Sequence, residues 1–186
     1  MKRTFDLTLS ILLLLILTIP MGLIALIIRW TSPGPVLFWS ERIGIFNEIF
    51  LMPKFRTMRI DTPQLATHLL QNPDQWITPI GRFLRKHSLD ELPQLWNILK
   101  GEMSFVGPRP ALFNQDDLID LRTREGIHGL LPGLTGLAQI NGRDHLSIPE
   151  KVRWDHVYLV NHSFLFDLKI LFLTFFKVVK KEGIQH

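Results

Sequence analysis

Residues 7–28 are apolar except for Thr8, Ser10, Thr18 and a Pro20-Met21-Gly22 interruption. A run of that length is sufficient to cross a bilayer as a helix. Apolar residues elsewhere recur in shorter stretches rather than in further spans. A cleaved signal peptide fits poorly, because the run is too long and no small-x-small site closes it. A simple spanning helix fits the length. The flanks point another way: Lys2 and Arg3 precede the run, Arg29 follows it, and basic residues favour the cytoplasmic side. A re-entrant helix that bends at Pro20 and leaves on its face of entry satisfies that rule at both ends. The hydroxyls of Thr18 or Ser10 would then cap carbonyls freed at the bend. Spanning and re-entrant topologies both stay open on this pattern.

The chain has 186 residues, net charge +4 and no cysteine. That length gives one domain plus an appendage, divided here as residues 1–30 for the membrane helix and 31–186 for the body. The basic balance fits a partner bearing phosphate, whether nucleotide, nucleic acid or anionic lipid. Without cysteine there are no disulfides and no thiolate metal sites, so any metal would need carboxylate or imidazole ligands. His128, His145, His156 and His162 show no metal-ligand spacing.

Residues 36–39 and 49–51 alternate and flank Gly44 and Asn47, the pattern of a β-hairpin. The hairpin leads into Lys54-Phe55-Arg56-Thr57-Met58. Lys54 and Arg56 there read either as phosphate contacts or as a solvated, headgroup-facing strand end. Residues 61–76 are polar, helix or loop. Residues 79–86 form a basic stretch, 116–126 a charged exposed helix, and 131–143 a turn-rich segment ending in Arg143. In 164–181, Asp167, Thr174, Lys177 and Lys181 share one helical face and apolar residues cover the rest. Such a helix lies at an interface with its lysines toward headgroups, or in a core with its charged face outward. The whole reads as an α+β, mostly helical fold.

Two motifs carry chemistry. Ser88-Leu89-Asp90-Glu91-Leu92-Pro93-Gln94 contains an adjacent acid pair. Ser88-x-x-Glu91 matches a helix capping box, in which both side chains merely satisfy backbone donors. Pro93 opposes that reading, because a proline at the fifth helical position breaks the ladder. It fits as the first helical residue, with the helix running to Lys100 and stopping at Gly101. Asp90 and Glu91 then stand just outside a helix N-terminus, near partial positive charge. Structural and chemical roles for the pair remain balanced. Further on, Gly107-Pro108-Arg109-Pro110 leaves little backbone freedom around Arg109. A rigidly aimed guanidinium suits phosphate, and the alternative is a tight loop with a solvated arginine. His87 is either a base or a packing residue.

Together the basic N-terminus, the proline-interrupted apolar run, 54–58, 88–94, 101–110, 132–143 and the last helix resemble the small monotopic phosphoglycosyl transferases, also called bacterial sugar transferases. The resemblance covers nearly the whole chain. It implies a catalytic domain with a helix-associated hairpin and interfacial helices, seated on the cytoplasmic face of the bacterial inner membrane by a re-entrant helix.

The implied reaction moves a phosphosugar from a UDP-sugar to polyprenyl (undecaprenyl) phosphate, releasing UMP. By resemblance Asp90 is the nucleophile and a Mg2+ contact, and Glu91 assists by positioning metal or accepting a proton. Arg85, Arg109, Arg143 and Lys54 are the phosphate-binding candidates. The partners implied are the two substrates, membrane lipids and downstream glycosyltransferases, with no nucleic acid. Residues 60–77 depart from the family pattern, and no residue is assigned to the sugar. Two other readings stand beside this one: a non-catalytic membrane scaffold binding nucleotide sugars or anionic lipid, and a phosphohydrolase using water as acceptor.

Overall fold

The computed structural model describes residues 1–62, 73–142 and 145–180. Most of residues 61–76, together with Arg143 and Lys181, lie outside them. Among the described residues the chain is mostly helical, with two small sheets. Helix α1, Lys2–Thr31, runs without interruption through Pro20. Pro20 has no N–H for the carbonyl of Ile16. The hydroxyls expected to compensate go elsewhere: Thr18 Oγ1 donates to Leu14 O at 2.6 Å and Ser10 Oγ to Leu7 O at 3.0 Å. In an apolar helix these hydroxyls find their own preceding turn first.

Strands β1, Leu37–Ile43, and β2, Ile49–Phe55, form the expected antiparallel hairpin. The pairs Ser40–Met52, Arg42–Phe50 and Phe38–Lys54 place those six residues on one face. Helix α2, Gly81–Lys86, precedes a 3₁₀ turn over Leu89–Gln94 that feeds α3, Leu95–Lys100. Pro93 is therefore not the first α-helical residue: it sits inside the 3₁₀ turn, two residues before α3. Gly101 ends the helix in the left-handed conformation, φ 92°, as the sequence predicts.

Strand β3, Ser104–Val106, pairs in parallel with β4, Gly133–Thr135. Between them lies α4, Asp116–Arg124, the expected charged helix. Helices α5, Leu137–Ile140, α6, Ile148–Asn161, and α7, Phe164–Lys180, complete the body. The capping box absent at Ser88 occurs at the start of α6, where Ser147 and Glu150 satisfy each other's donors.

Helix α1 lies along the body rather than projecting from it. Leu9, Leu13, Leu14 and Leu17 pack on a core that includes Met52, Leu95, Ile98, Met103 and Phe105. Met21, Ile24 and Ala25 pack on a second cluster of Ile28, Phe55 and Leu84. Both ends are tied down. Arg3 caps the C-terminus of α3 through the carbonyls of Ile98 and Leu99 at 2.6 and 2.9 Å. Lys2 Nζ reaches Asp167 Oδ2 at 2.6 Å and Val106 O at 2.8 Å. At the other end Arg56 donates to Pro33 O at 2.5 Å and Ser32 O at 2.9 Å. Arg56 is thus a buried anchor for the helix exit, not a headgroup-facing charge.

Two helices are inverted relative to a water-soluble pattern. In α1 the polar Asp6 and Ser10 are buried, while Leu15, Ile19, Leu23 and Trp30 are exposed. In α7 Asp167 is buried and bonded to Lys2 and Tyr158. Thr174 bonds Thr135 at 2.8 Å, and Lys177 donates to the carbonyl of Ile140. The outer side carries Leu165, Phe172, Phe175 and Phe176. The face expected to lie toward headgroups, or outward as a charged surface, therefore points inward as far as it is described.

Candidate active site

The acid pair is presented by a strained corner. Ser88, ending the link from α2, adopts φ 55° and ψ 22°, a left-handed conformation that a non-glycine residue avoids. The 3₁₀ turn then directs Asp90 and Glu91 differently. Glu91 is 8 % exposed, and Asp90 is half-buried. The hairpin packs β2 against this turn, which brings Lys54 Nζ to Glu91 Oε1 at 2.8 Å. From the opposite side Arg109 Nη2 reaches the same oxygen, also at 2.8 Å.

The Gly-Pro-Arg-Pro turn is fixed by the turn-rich segment, which explains both motifs at once. Gly107 N donates to Thr135 O and Gly133 N to Pro108 O, each at 2.9 Å. A Cβ on Gly107 would stand 2.3 Å from Leu131 O, and one on Gly133 would stand 2.1 Å from Gly107 N. The two backbones approach so closely that only glycine fits. Arg109 is also held by its carbonyl, which accepts a 2.8 Å bond from Arg122 Nη1. Arg122 is in turn clamped by Asp155 through Nε at 3.0 Å and Nη2 at 2.6 Å.

These neighbours separate the two acids electrostatically. Burial alone would raise Glu91, but the charges of Arg109 and Lys54 and their hydrogen bonds outweigh it and hold the carboxyl well below the usual glutamate range. Asp90 moves the other way. Burial, then the adjacent Glu91 charge, raises it, and Lys54 and Arg85 offset only part of that. Burial also lowers Lys54 despite Glu91. One carboxylate is thus committed to two cations. The other has no ion pair within 4 Å among the described residues.

Of the six residues predicted for this site, Asp90, Glu91, Lys54, Arg109 and Arg85 converge, and Arg143 lies outside the described residues. Pro20 is interior to α1. His87 is a packing residue: its Nδ1 lies 2.9 Å from Phe83 O and its ring stacks obliquely on Phe83. Sequence reasoning missed Arg42 and the pair Arg122–Asp155. Arg42 was within reach of the hairpin register, which puts it on the same face as Lys54. Arg122 and Asp155 carried no local signal, because they meet across 33 residues.

Among the described residues no group of three acidic, histidine or cysteine side chains gathers to form a protein cage for a metal. The donor set fits magnesium nonetheless, since this ion uses one or two carboxylates and completes its shell with water and substrate phosphate. Asp90 is the available carboxylate, with Glu91 beside it.

Comparison with known proteins identifies the family. The family model described as "Bacterial sugar transferase" matches residues 1–181. A protein of Bacillus subtilis named "Uncharacterized sugar transferase EpsL" is 44 % identical over all of this chain and 90 % of its own length. "Undecaprenyl-phosphate glucose phosphotransferase" of Komagataeibacter xylinus is 44 % identical over 93 % of this chain and 35 % of its own. "UDP-glucose:undecaprenyl-phosphate glucose-1-phosphate transferase" of Escherichia coli is 42 % identical over 95 % and 40 %. The chain belongs to the bacterial sugar transferase family. It spans nearly all of the first relative and 35 % and 40 % of the other two.

Proposed function

We propose that this protein transfers a phosphosugar from a UDP-sugar to undecaprenyl phosphate, releasing UMP and forming undecaprenyl-diphospho-sugar, the first membrane step of glycoconjugate assembly. The observation that carries the reading is the unequal acid pair, one carboxylate held by Lys54 and Arg109 and the other with no ion pair within 4 Å among the described residues. The relatives named as undecaprenyl-phosphate sugar transferases supply the substrate class.

In this mechanism an Asp90 oxygen attacks the β-phosphorus of the donor, and the bond to the bridging oxygen breaks as UMP leaves. The phosphosugar is held on Asp90 as an acyl phosphate, a mixed anhydride. A phosphate oxygen of undecaprenyl phosphate then attacks the same phosphorus, forming the diphosphate and restoring the Asp90 carboxylate. Asp90's raised proton affinity marks a carboxylate that solvation stabilises weakly, and so a better nucleophile than a hydrated one. Glu91 takes no covalent part: it aims Lys54 and Arg109 at the oxygens that gain charge. Asp90, with Glu91 beside it, would hold magnesium, which would supply neutralisation of phosphate oxygen charge. Arg85 acts on Asp90 from α2, and Arg143 is kept as a phosphate contact on the resemblance alone.

The inverted faces of α1 and α7 support a monotopic seat in the cytoplasmic face of the inner membrane. Apolar residues exposed on both helices, with Asp6, Ser10 and Asp167 buried beneath them, suit lipid as the outer solvent. A re-entrant path for α1 is supported by its packing along the body and by tethers at both ends, since a perpendicular span would carry the attached core into the bilayer. Pro20→Leu is expected to lower activity and to separate the two helix ends. Unchanged same-side labelling of both ends with full activity would contradict that path.

The transfer reading is tested by measuring UMP released from a panel of UDP-sugars by detergent-solubilised protein with magnesium, with and without undecaprenyl phosphate. Formation of lipid-linked diphosphosugar, lost in Asp90→Asn, supports it. Free phosphosugar would indicate hydrolysis, and no UMP from folded protein would favour the scaffold.

A further inference from the structure

Arg42 stands at the far end of the cationic row from Asp90, and it has no carboxylate within 4 Å among the described residues. Its half-buried guanidinium is aimed by two neutral acceptors, Ser40 Oγ at 3.0 Å from Nε and Pro110 O at 3.2 Å from Nη1. Backbone contacts fix it further: Ile43 N donates to Ala111 O at 3.0 Å, and Arg42 forms an isolated bridge with Leu112. The strand end carrying Arg42 is therefore welded to the segment that follows Arg109.

The order of charges along the site is set by which groups feel one another. Asp90 senses Glu91, Lys54 and Arg85, whereas Arg42 senses Arg109 and Glu91. Lys54 and Arg109 both bond Glu91 Oε1, next to Asp90, and the turn that carries Arg109 also carries the Pro110 carbonyl that holds Arg42, so the row runs from the acid pair through these two cations to Arg42. Burial and the neighbouring Arg109 weaken Arg42's hold on its proton, to a value of about 10, and Glu91 restores only part. A guanidinium kept half-buried, beside another guanidinium and with no acid of its own among the described residues, is a costly arrangement unless an anion completes it.

We propose that Arg42, together with Arg109, binds the α-phosphate of the donor, so that the nucleotide end lies away from Asp90 and the sugar-bearing β-phosphate lies against it. This assignment rests on the transfer reading above and gives the donor a direction across the site. Nη2 of Arg42 makes no hydrogen bond among the described residues and supplies the contact. After the P–O bond breaks, the same two guanidiniums hold the phosphomonoester of UMP, which carries more charge than the diester phosphate it replaces.

The test is direct binding of UMP by calorimetry to the full-length detergent-solubilised protein, alongside a short-chain prenyl phosphate that reports the acceptor phosphate. Arg42→Met is expected to weaken UMP by about tenfold or more, as loss of a charge-assisted contact implies, and to leave prenyl phosphate within about twofold. Arg42→Lys is expected to recover part of the UMP affinity. Undiminished UMP binding in Arg42→Met overturns the assignment. So does an equal loss for both ligands, which would mean that Arg42 only braces the Arg109 turn. Because UMP binding needs no turnover, failure of the transfer assay alone leaves this result readable, and failure here leaves the transfer reading standing.

Discussion

Arg109 is held by two ion clusters that differ in charge balance. Its carbonyl is fixed by Arg122, which Asp155 matches one for one, with side chains 11 % and 2 % exposed. Its guanidinium is fixed by Glu91, whose single oxygen already serves Lys54, with Arg42 beyond. The matched pair is closed and does nothing but brace. Asp155 is even pushed upward by burial, which Arg122 offsets only in part, as expected where desolvation outweighs attraction. Among the described residues the second cluster sets Lys54, Arg109 and Arg42 around the Glu91 carboxylate, with Asp90 beside it, and the proposed diphosphate would add its charge there. Charge balance thus separates scaffold from site more sharply than burial does.

Four experiments press on this contrast. Asp90→Asn should abolish turnover, a loss on the order of 10³-fold or more for a covalent nucleophile. It should leave the melting temperature at neutral pH unchanged or raised. The folded state raises this acid's pKa, so its charged form is penalised above that pKa and stability is gained as pH falls through it. A lowered melting temperature would return Asp90 to the scaffold. Glu91→Gln comes next: it removes the charge shared by two cations and should cost about 3 kcal/mol or more of stability, with activity down about 10²-fold. Retention of both would deny that Glu91 organises the cluster.

Asp155→Asn should destabilise by a similar amount, about 3 kcal/mol, by leaving Arg122 buried and unmatched. Its effect on activity should be smaller and fall on kcat, with UMP affinity nearly unchanged, because the Arg109 turn loosens while its cations remain. A larger loss than in Glu91→Gln would invert the proposed roles. The smallest effect concerns pH. The acid limb of activity should lie above the ordinary aspartate value of 3.8, since burial and the Glu91 charge raise Asp90. Glu91→Gln should move that limb to lower pH. A limb that stays put would show that Glu91 and Asp90 do not share a field.

Much of this arrangement was legible in order along the chain, and the illegible part is instructive. The hairpin, α4 and the Gly101 stop followed from local pattern, because turns and caps depend on neighbours within a few residues. The acid pair and Gly107-Pro108-Arg109-Pro110 stood out as constrained motifs, and the structure joins them through Glu91 and Arg109. The short parallel pair β3–β4 gave no strand signal, since three-residue strands have no periodicity to detect, and β4 lay inside the segment read as turn-rich because glycine punctuates it. The inward polar face of α7 was read as outward, because periodicity reveals a face but not its solvent. Arg122 and Asp155 required tertiary contact to be seen at all.

The most direct test of the central claim is intact-mass analysis of the acid-quenched protein after incubation with a UDP-sugar and magnesium in the absence of any acceptor. The account predicts a mass increase of one phosphosugar, mapped to the peptide containing Asp90, with an equivalent of UMP released. Unmodified protein and no UMP until undecaprenyl phosphate is added would contradict it, and would replace the covalent route with direct transfer between the two substrates.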